Sequence, residues 1–270
     1  MKSTILVILA TFFSTHAFAK IENNVVAENQ ISAEQKGLEI ITEVDKRDTG
    51  FGDSKATLKM RLTNKRGEES LRALKIKTLE IIDEGDKSLT IFNSPRDIKG
   101  TAFLSFTHAL VPDEQWLYLP ALKRVKRISS SNKSGPFLGS EYAFEDLTSF
   151  EVAKYAYKYL KDEVVDGIDC YVIELTPKYE HSGYTRQIAW IDKDLYIVRK
   201  IEYCDRKETL LKTQLFKNYQ QYLNQFWRAD EQLMTNHQNG KSTALLWGDY
   251  KFKTGLTARD FDKNTLKRAR

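Results

Sequence analysis

The residues best suited to chemistry in this chain lie in GPFLGSEYAFEDL, residues 135–147, where Glu141, Glu145 and Asp146 are interleaved with Phe137, Leu138, Tyr142, Phe144 and Leu147. Two carboxylates held apart across a sugar could serve as acid and base in glycoside hydrolysis. No recognisable platform of aromatic and polar residues for a sugar accompanies them. Just upstream, Lys123-Arg124-Val125-Lys126-Arg127 offers the acids a plainer role as ion-pair partners. The polar connection Ser129 to Ser134 is short enough to fold one segment onto the other, so Arg124 or Arg127 is expected to pair with Glu145 or Asp146. The alternative for these two arginines is an anionic head group.

Other chemistries find little support. The histidines at 16, 108, 181 and 237 do not stand at metal-ligand spacing, and neither H-x-x-x-H nor C-x-x-C occurs. There is no G-x-S-x-G elbow, because Gly139-Ser140 lacks the second glycine, and no P-loop or Rossmann-type phosphate loop. The reading from these residues is a protein that is not an enzyme and carries no metal or cofactor.

The first residues, MKSTILVILATFFSTHAFAK, have the three parts of a secretory signal: Lys2, an apolar run from Ile5 to Phe13, and Ala17-Phe18-Ala19 as a cleavage site. The apolar run is too short to span a bilayer, which takes about 20 residues. No later stretch is apolar enough to do so, and no Cys follows the cleavage site to carry a lipid anchor. The expected product is a periplasmic protein starting at Lys20, with residues 20–270 forming a single domain. The full sequence has 42 basic residues against 37 acidic ones, a formal charge of +5 that falls to +4 once Lys2 leaves, which is a weak bias. An exported chain without a basic domain is a poor candidate for nucleic acid.

These residues must be positioned by strands. Ser32-Ala33-Glu34-Gln35 has capping-box spacing, and Ala33, Gly37, Ile40, Ile41 and Val44 recur at helical intervals, which predicts one amphipathic helix over 32–46. Beyond it the pattern alternates with period two, as in Ala56, Leu58, Met60 and Leu62. Turn signals at Pro120-Ala121, Asp166-Gly167, Lys193-Asp194 and Asn239-Gly240 separate consecutive hairpins. About eleven strands in an antiparallel meander are expected. A tight turn at Lys193-Asp194 would set Ile191 near Tyr196 and Cys204 opposite about residue 183. Cys170 then falls at the far end of the same unit, so Cys170 and Cys204 are expected to be unbonded.

Fourteen Phe, thirteen Tyr and four Trp are scattered over many of these strands. They could fill a core. In a barrel too large or too open to fill itself, they could instead line a cavity. The candidates for such a lining are Phe103, Phe106, Trp116, Tyr118, Phe137, Tyr142 and Phe144.

The run from Trp116 to Ile128, WLYLPALKRVKRI, followed by Gly135 to Leu147, resembles the signature of the LolA-like outer membrane lipoprotein-sorting proteins. Phe226-Trp227-Arg228-Ala229-Asp230, Asp249-Tyr250-Lys251-Phe252 and Leu256 to Phe261 extend the resemblance over residues 30–268. It implies a mainly β protein with a few helices, in which an unclosed antiparallel barrel wraps over the helices. It also implies a periplasmic carrier for the acyl chain of a lipid or lipoprotein, in lipoprotein sorting or lipid export. A sixteen-carbon chain in water costs roughly 12 kcal/mol at about 0.8 kcal/mol per methylene, which is why such traffic needs a carrier. Relatives of this kind are found near RND/MMPL-type exporters, and the alternative role is an accessory module of such an exporter that holds no cargo.

Overall fold

The structure, a computed structural model, describes residues 31–268; the expected signal segment and its cleavage site lie outside them. Helix α1 runs Ala33–Asp48, and the Ser32 hydroxyl accepts the Gln35 N–H at 3.1 Å, which satisfies one free donor of the first turn. Gly37, Ile40 and Ile41 are its buried positions, as the helical spacing requires.

Thirteen strands form one antiparallel sheet. In chain order they are β1 (Asp53–Thr63), β2 (Glu69–Leu79), β3 (Lys87–Ser94), β4 (Ala102–Phe106), β5 (Glu114–Leu119), β6 (Arg124–Ile128), β7 (Tyr155–Val165), β8 (Ile168–Pro177), β9 (Tyr184–Asp192), β10 (Val198–Asp205), β11 (Leu210–Tyr222), β12 (Phe226–Asn236) and β13 (Ser242–Phe252). The chain starts mid-sheet at β1 and winds outward to β6. It then crosses to the opposite edge at β7 and winds back until β13 pairs with β1. Strands β6 and β7 are the two edges and do not pair with each other, so the barrel stays open. Thirteen strands are two more than the eleven or so expected, and β11 is one for which the alternation gives no signal. No helix among the described residues is long and apolar enough to cross a membrane.

Two details of register differ from expectation. Asp166 and Gly167 take positive φ (50° and 79°), as a tight β7–β8 hairpin demands. The Lys193-Asp194 connection is wider than a two-residue turn: Ile191 lies opposite Val198, and Cys204 opposite Arg186. The Asp192 carboxylate holds this loop open by accepting the N–H groups of Asp194 and Leu195, both at 2.9 Å. Cys170 pairs across from Asp192 and Cys204 across from Arg186, six residues apart along β9. At about 3.3 Å per residue that is roughly 20 Å, and both thiols are free and buried.

The crossing from β6 to β7, residues 129–154, explains the composition of GPFLGSEYAFEDL. This segment is a strap laid over the concave face of the sheet. Phe137 and Tyr142 are 1 % and 2 % exposed and pack with Leu58, Leu74, Phe92 and Phe103 from the first half of the sheet. On that half the convex face is also covered: Leu256, Phe261 and Leu266 of the C-terminal tail pack on Leu104 and Trp116.

Candidate functional site

The seven aromatic residues expected to line a groove do not line one. Alternation along β4 and β5 divides four of them between the two faces. Phe106, Trp116 and Tyr118 join the convex cluster beneath the C-terminal tail, and Phe103 joins the concave cluster with Phe137, Tyr142 and Phe144. Phe103 and Phe137 stand 5.1 Å apart, centroid to centroid, and Phe137 and Phe144 5.4 Å, as rings packed against one another do. These rings fill the first half of the sheet and form its core.

The space lies over the second half. A cavity of about 1100 Å³ opens between α1, the strap and the concave face of β8 to β12. One wall is aliphatic, built from Ile41 and Val44 of α1 with Leu175, Ala189, Ile191 and Ile201 of the strands. The lining mixes aromatic side chains, Tyr184, Tyr203, Phe216, Tyr219 and Trp227 among them, with small and amide residues at several inward positions. Ala189 and the amides Gln187, Gln214 and Gln232 stand where the first half places phenyl rings.

The polar floor is closed on itself. Tyr203 donates to the Gln214 carbonyl oxygen at 2.7 Å, and the Gln214 amide donates to Gln232 at 3.2 Å. Asp146 accepts from Lys212 at 2.6 Å, from Tyr184 at 2.7 Å and from the Ala143 N–H at 2.7 Å. Lys212 and Asp146 are 3 % and 4 % exposed, and Lys212 also donates to the Glu141 carbonyl at 2.9 Å. Glu145 accepts from Tyr179, Ser182 and the Gly183 N–H at 2.8–3.0 Å, and no cation among the described residues pairs with it. Burial, helped by the neighbouring Asp146 charge, raises the Glu145 carboxyl above its ordinary value.

The ion pairs expected between the basic strand and the acidic segment are therefore not formed. Arg127 pairs with Glu114 at 3.0 Å on the surface of β5 and β6, and Arg124 is exposed. The partners of Asp146 and Glu145 come instead from β9, β11 and the loop before β9. The strap is pinned on both sides: the Gln115 amide of β5 donates to the Phe144 carbonyl at 2.9 Å, and Lys212 of β11 holds Asp146. What sequence reasoning missed was the inward face of β11. Its signal was Lys212 and Gln214 two apart in an otherwise strand-like run.

An open antiparallel half-barrel with one helix and a strap over its concave face, enclosing a cavity of this size, is a LolA-type architecture. The chain is 56 % identical to an outer membrane lipoprotein-sorting protein domain from Vibrio parahaemolyticus, with a TM-score of 0.86; the match covers 87 % of this chain and all of that one. A DUF1329 family protein from Desulfovibrio piger is 29 % identical, with a TM-score of 0.83 over 87 % of this chain and 99 % of its own. A LolA superfamily protein from Nitrosomonas europaea shares the fold at 21 % identity and a TM-score of 0.69, over 84 % and 98 %. A family model described only as an uncharacterized protein matches residues 84–268. No curated protein matches the chain. The chain belongs to the LolA-like outer membrane lipoprotein-sorting protein family.

Proposed function

We propose that residues 20–270 act as a single periplasmic carrier domain, exported by the segment cut after Ala19, and hold the acyl chain of a lipid or lipoprotein in the cavity over β8 to β12. The observation that carries this reading is the aliphatic wall of a cavity of about 1100 Å³, above the 300–1,000 Å³ usual for sites that enclose drug-sized ligands. Burying a long acyl chain against Ile41, Val44, Leu175 and Ile201 removes it from water at about 0.8 kcal/mol per methylene. The name of the Vibrio parahaemolyticus relative agrees with a role in lipoprotein sorting.

A second reading has one observation in its favour. Ile82, Leu110, Val111 and Phe150 are exposed, Leu110 by 88 %, and Ile82, Leu110 and Phe150 edge the cavity. An apolar lip of this kind suits docking on a partner such as an inner-membrane exporter, with or without cargo. Native mass spectrometry of the purified protein, with binding of the neutral probe N-phenyl-1-naphthylamine, tests the carrier reading. Co-purified lipid and probe binding abolished by Ile201→Trp are expected. A clean protein that binds no probe but captures an exporter would leave the accessory role. The mature mass should begin at Lys20.

A further inference from the structure

Resting on the carrier reading, we infer that the cavity selects acyl lipids whose head group bears no net negative charge, and rejects free fatty acids and anionic phospholipids. The cavity is lined by eight carboxylates and only two cationic side chains, Lys46 and Arg47. Both cations belong to the outer surface of α1, where each pairs with Glu43. Two of the carboxylates are compensated, Asp48 by Arg228 and Asp146 by Lys212. The remaining six, Asp45, Glu80, Asp83, Asp86, Glu145 and Glu151, have no cation within 4 Å among the described residues. This happens in a chain whose formal charge is +5, so the negative potential is a property of the cavity and not of the protein as a whole.

Both ends of the cavity carry the effect. Asp83 is exposed at the rim beside the apolar lip, whereas Glu145 lies inside, where it accepts from Tyr179. A head group therefore meets carboxylates whichever end it occupies. In surroundings poorer than water in dielectric, repulsion of this kind is strong. Burial raises the carboxyls of Asp45, Asp86, Glu145 and Glu151, and in each case neighbouring carboxylates add to the shift, as expected where like charges crowd one space. The amides of Gln187 and Gln232 are the polar groups of the floor that suit ester carbonyls and hydroxyls. The basic strand β6 is at the sheet edge and contributes nothing to the cavity.

The test is displacement of N-phenyl-1-naphthylamine from the full-length mature protein at pH 8 and low salt. The competitors share one palmitoyl chain: lysophosphatidylcholine, monopalmitoylglycerol, lysophosphatidylglycerol and palmitate. The first two are expected to displace the probe at concentrations about tenfold lower than the last two, and added salt should narrow the gap. Asp45→Asn with Asp83→Asn, at positions whose side chains make no hydrogen bond that the fold needs, should bring lysophosphatidylglycerol about threefold closer to lysophosphatidylcholine. Glu145→Gln should add to this. Equal displacement by all four lipids would overturn the selectivity while leaving the carrier intact. Absence of any probe or lipid binding would overturn both.

Discussion

The two halves of the sheet are both runs of antiparallel hairpins but put different side chains on their concave faces. Between β1 and β6 the inward positions are Leu58, Leu74, Phe92, Phe103 and Leu117, and the strap presses Phe137 and Tyr142 onto them. Between β8 and β12 the inward positions mix Gln187, Ala189, Ile201, Gln214 and Gln232 with Tyr203 and Phe216, and α1 and the edge of the strap lie above. One half is closed and the other holds a cavity. The contrast shows that an abundance of aromatic residues is a poor guide to a binding groove in such a sheet. Rings are large enough to fill the space they face. The open space lies where a helix spans above the sheet and amides and one alanine stand among the inward rings.

The sharpest way to break this contrast is in the closed half. Phe137→Ala removes a ring 1 % exposed between Phe92, Phe103 and Phe144, and should cost about 3–5 kcal/mol in urea unfolding. Ile201→Val borders space that is already open and should cost under about 1 kcal/mol. Equal losses would mean that the cavity is packed as tightly as the core. The strap's other end offers a comparable effect: Asp146→Ala leaves the Lys212 ammonium buried without its partner, at a cost of about 3–5 kcal/mol. The paired change Asp146→Leu with Lys212→Met should recover much of that loss, since it removes both charges together.

Helix α1 is the roof of the open half, and its seating is tight. A Cβ on Gly37 would meet the Tyr159 backbone nitrogen at 2.8 Å and the Lys158 backbone at 3.0 Å. Gly37→Ala therefore should cost about 1–3 kcal/mol by forcing the helix off β7, although alanine favours helices. A melting temperature that rises instead would show that the helix is free to shift on the sheet.

The closed half was legible in the sequence and the open half was not, for one physical reason. Period-two alternation reports a strand that buries apolar residues on one face, so Ala56, Leu58, Met60 and Leu62 declare β1 at once. In β11 the inward positions carry Lys212 and Gln214, polar residues facing a polar floor, so the alternation disappears and the strand was missed. The helix was readable from Ser32 and from Ile40 and Ile41 because cap and periodicity agree. The aromatic candidates were recognised as buried-type residues, but alternation alone does not say which face carries a cavity, and the partners of Glu145 and Asp146 lie 34 to 66 residues further on. Proximity in sequence to a basic strand was a misleading substitute for proximity across a strap.

At the rim of the open half, the pH dependence of Asp86 sharpens the picture further. Burial raises its carboxyl to about 7, with Glu151, Glu80 and Asp48 adding to the effect and the Ile81 N–H opposing it. Because the folded value lies above the ordinary 3.8, this group's stabilising contribution is full below about pH 4 and is lost as pH rises through 7. Asp86→Asn keeps an acceptor for the Ile81 N–H and removes the charge. It should match the wild type near pH 4 and exceed it by about 1–2 kcal/mol at pH 8, the half-buried site being partly screened. Parallel stability curves for the two proteins would show that the rim carboxylates do not burden the fold.

The smallest effect is expected at the edge of the closed half, and it tests where the strap finds its partners. Arg127 and Glu114 meet at 3.0 Å with their side chains 65 % and 37 % exposed, so water and salt screen the pair and two flexible side chains lose entropy to make it. Arg127→Ala should lower stability by no more than about 0.5 kcal/mol. A double-mutant cycle between Arg127 and Glu114 should give a coupling of about 0.2–1 kcal/mol that fades with added salt. The same cycle between Arg127 and Glu145 should give none, because Glu145 is held by Tyr179, Ser182 and Gly183. A measurable coupling between Arg127 and Glu145 would mean that in solution the strap leans toward β6. In that arrangement its carboxylates would leave the cavity, and the negative field that distinguishes the open half would weaken with them.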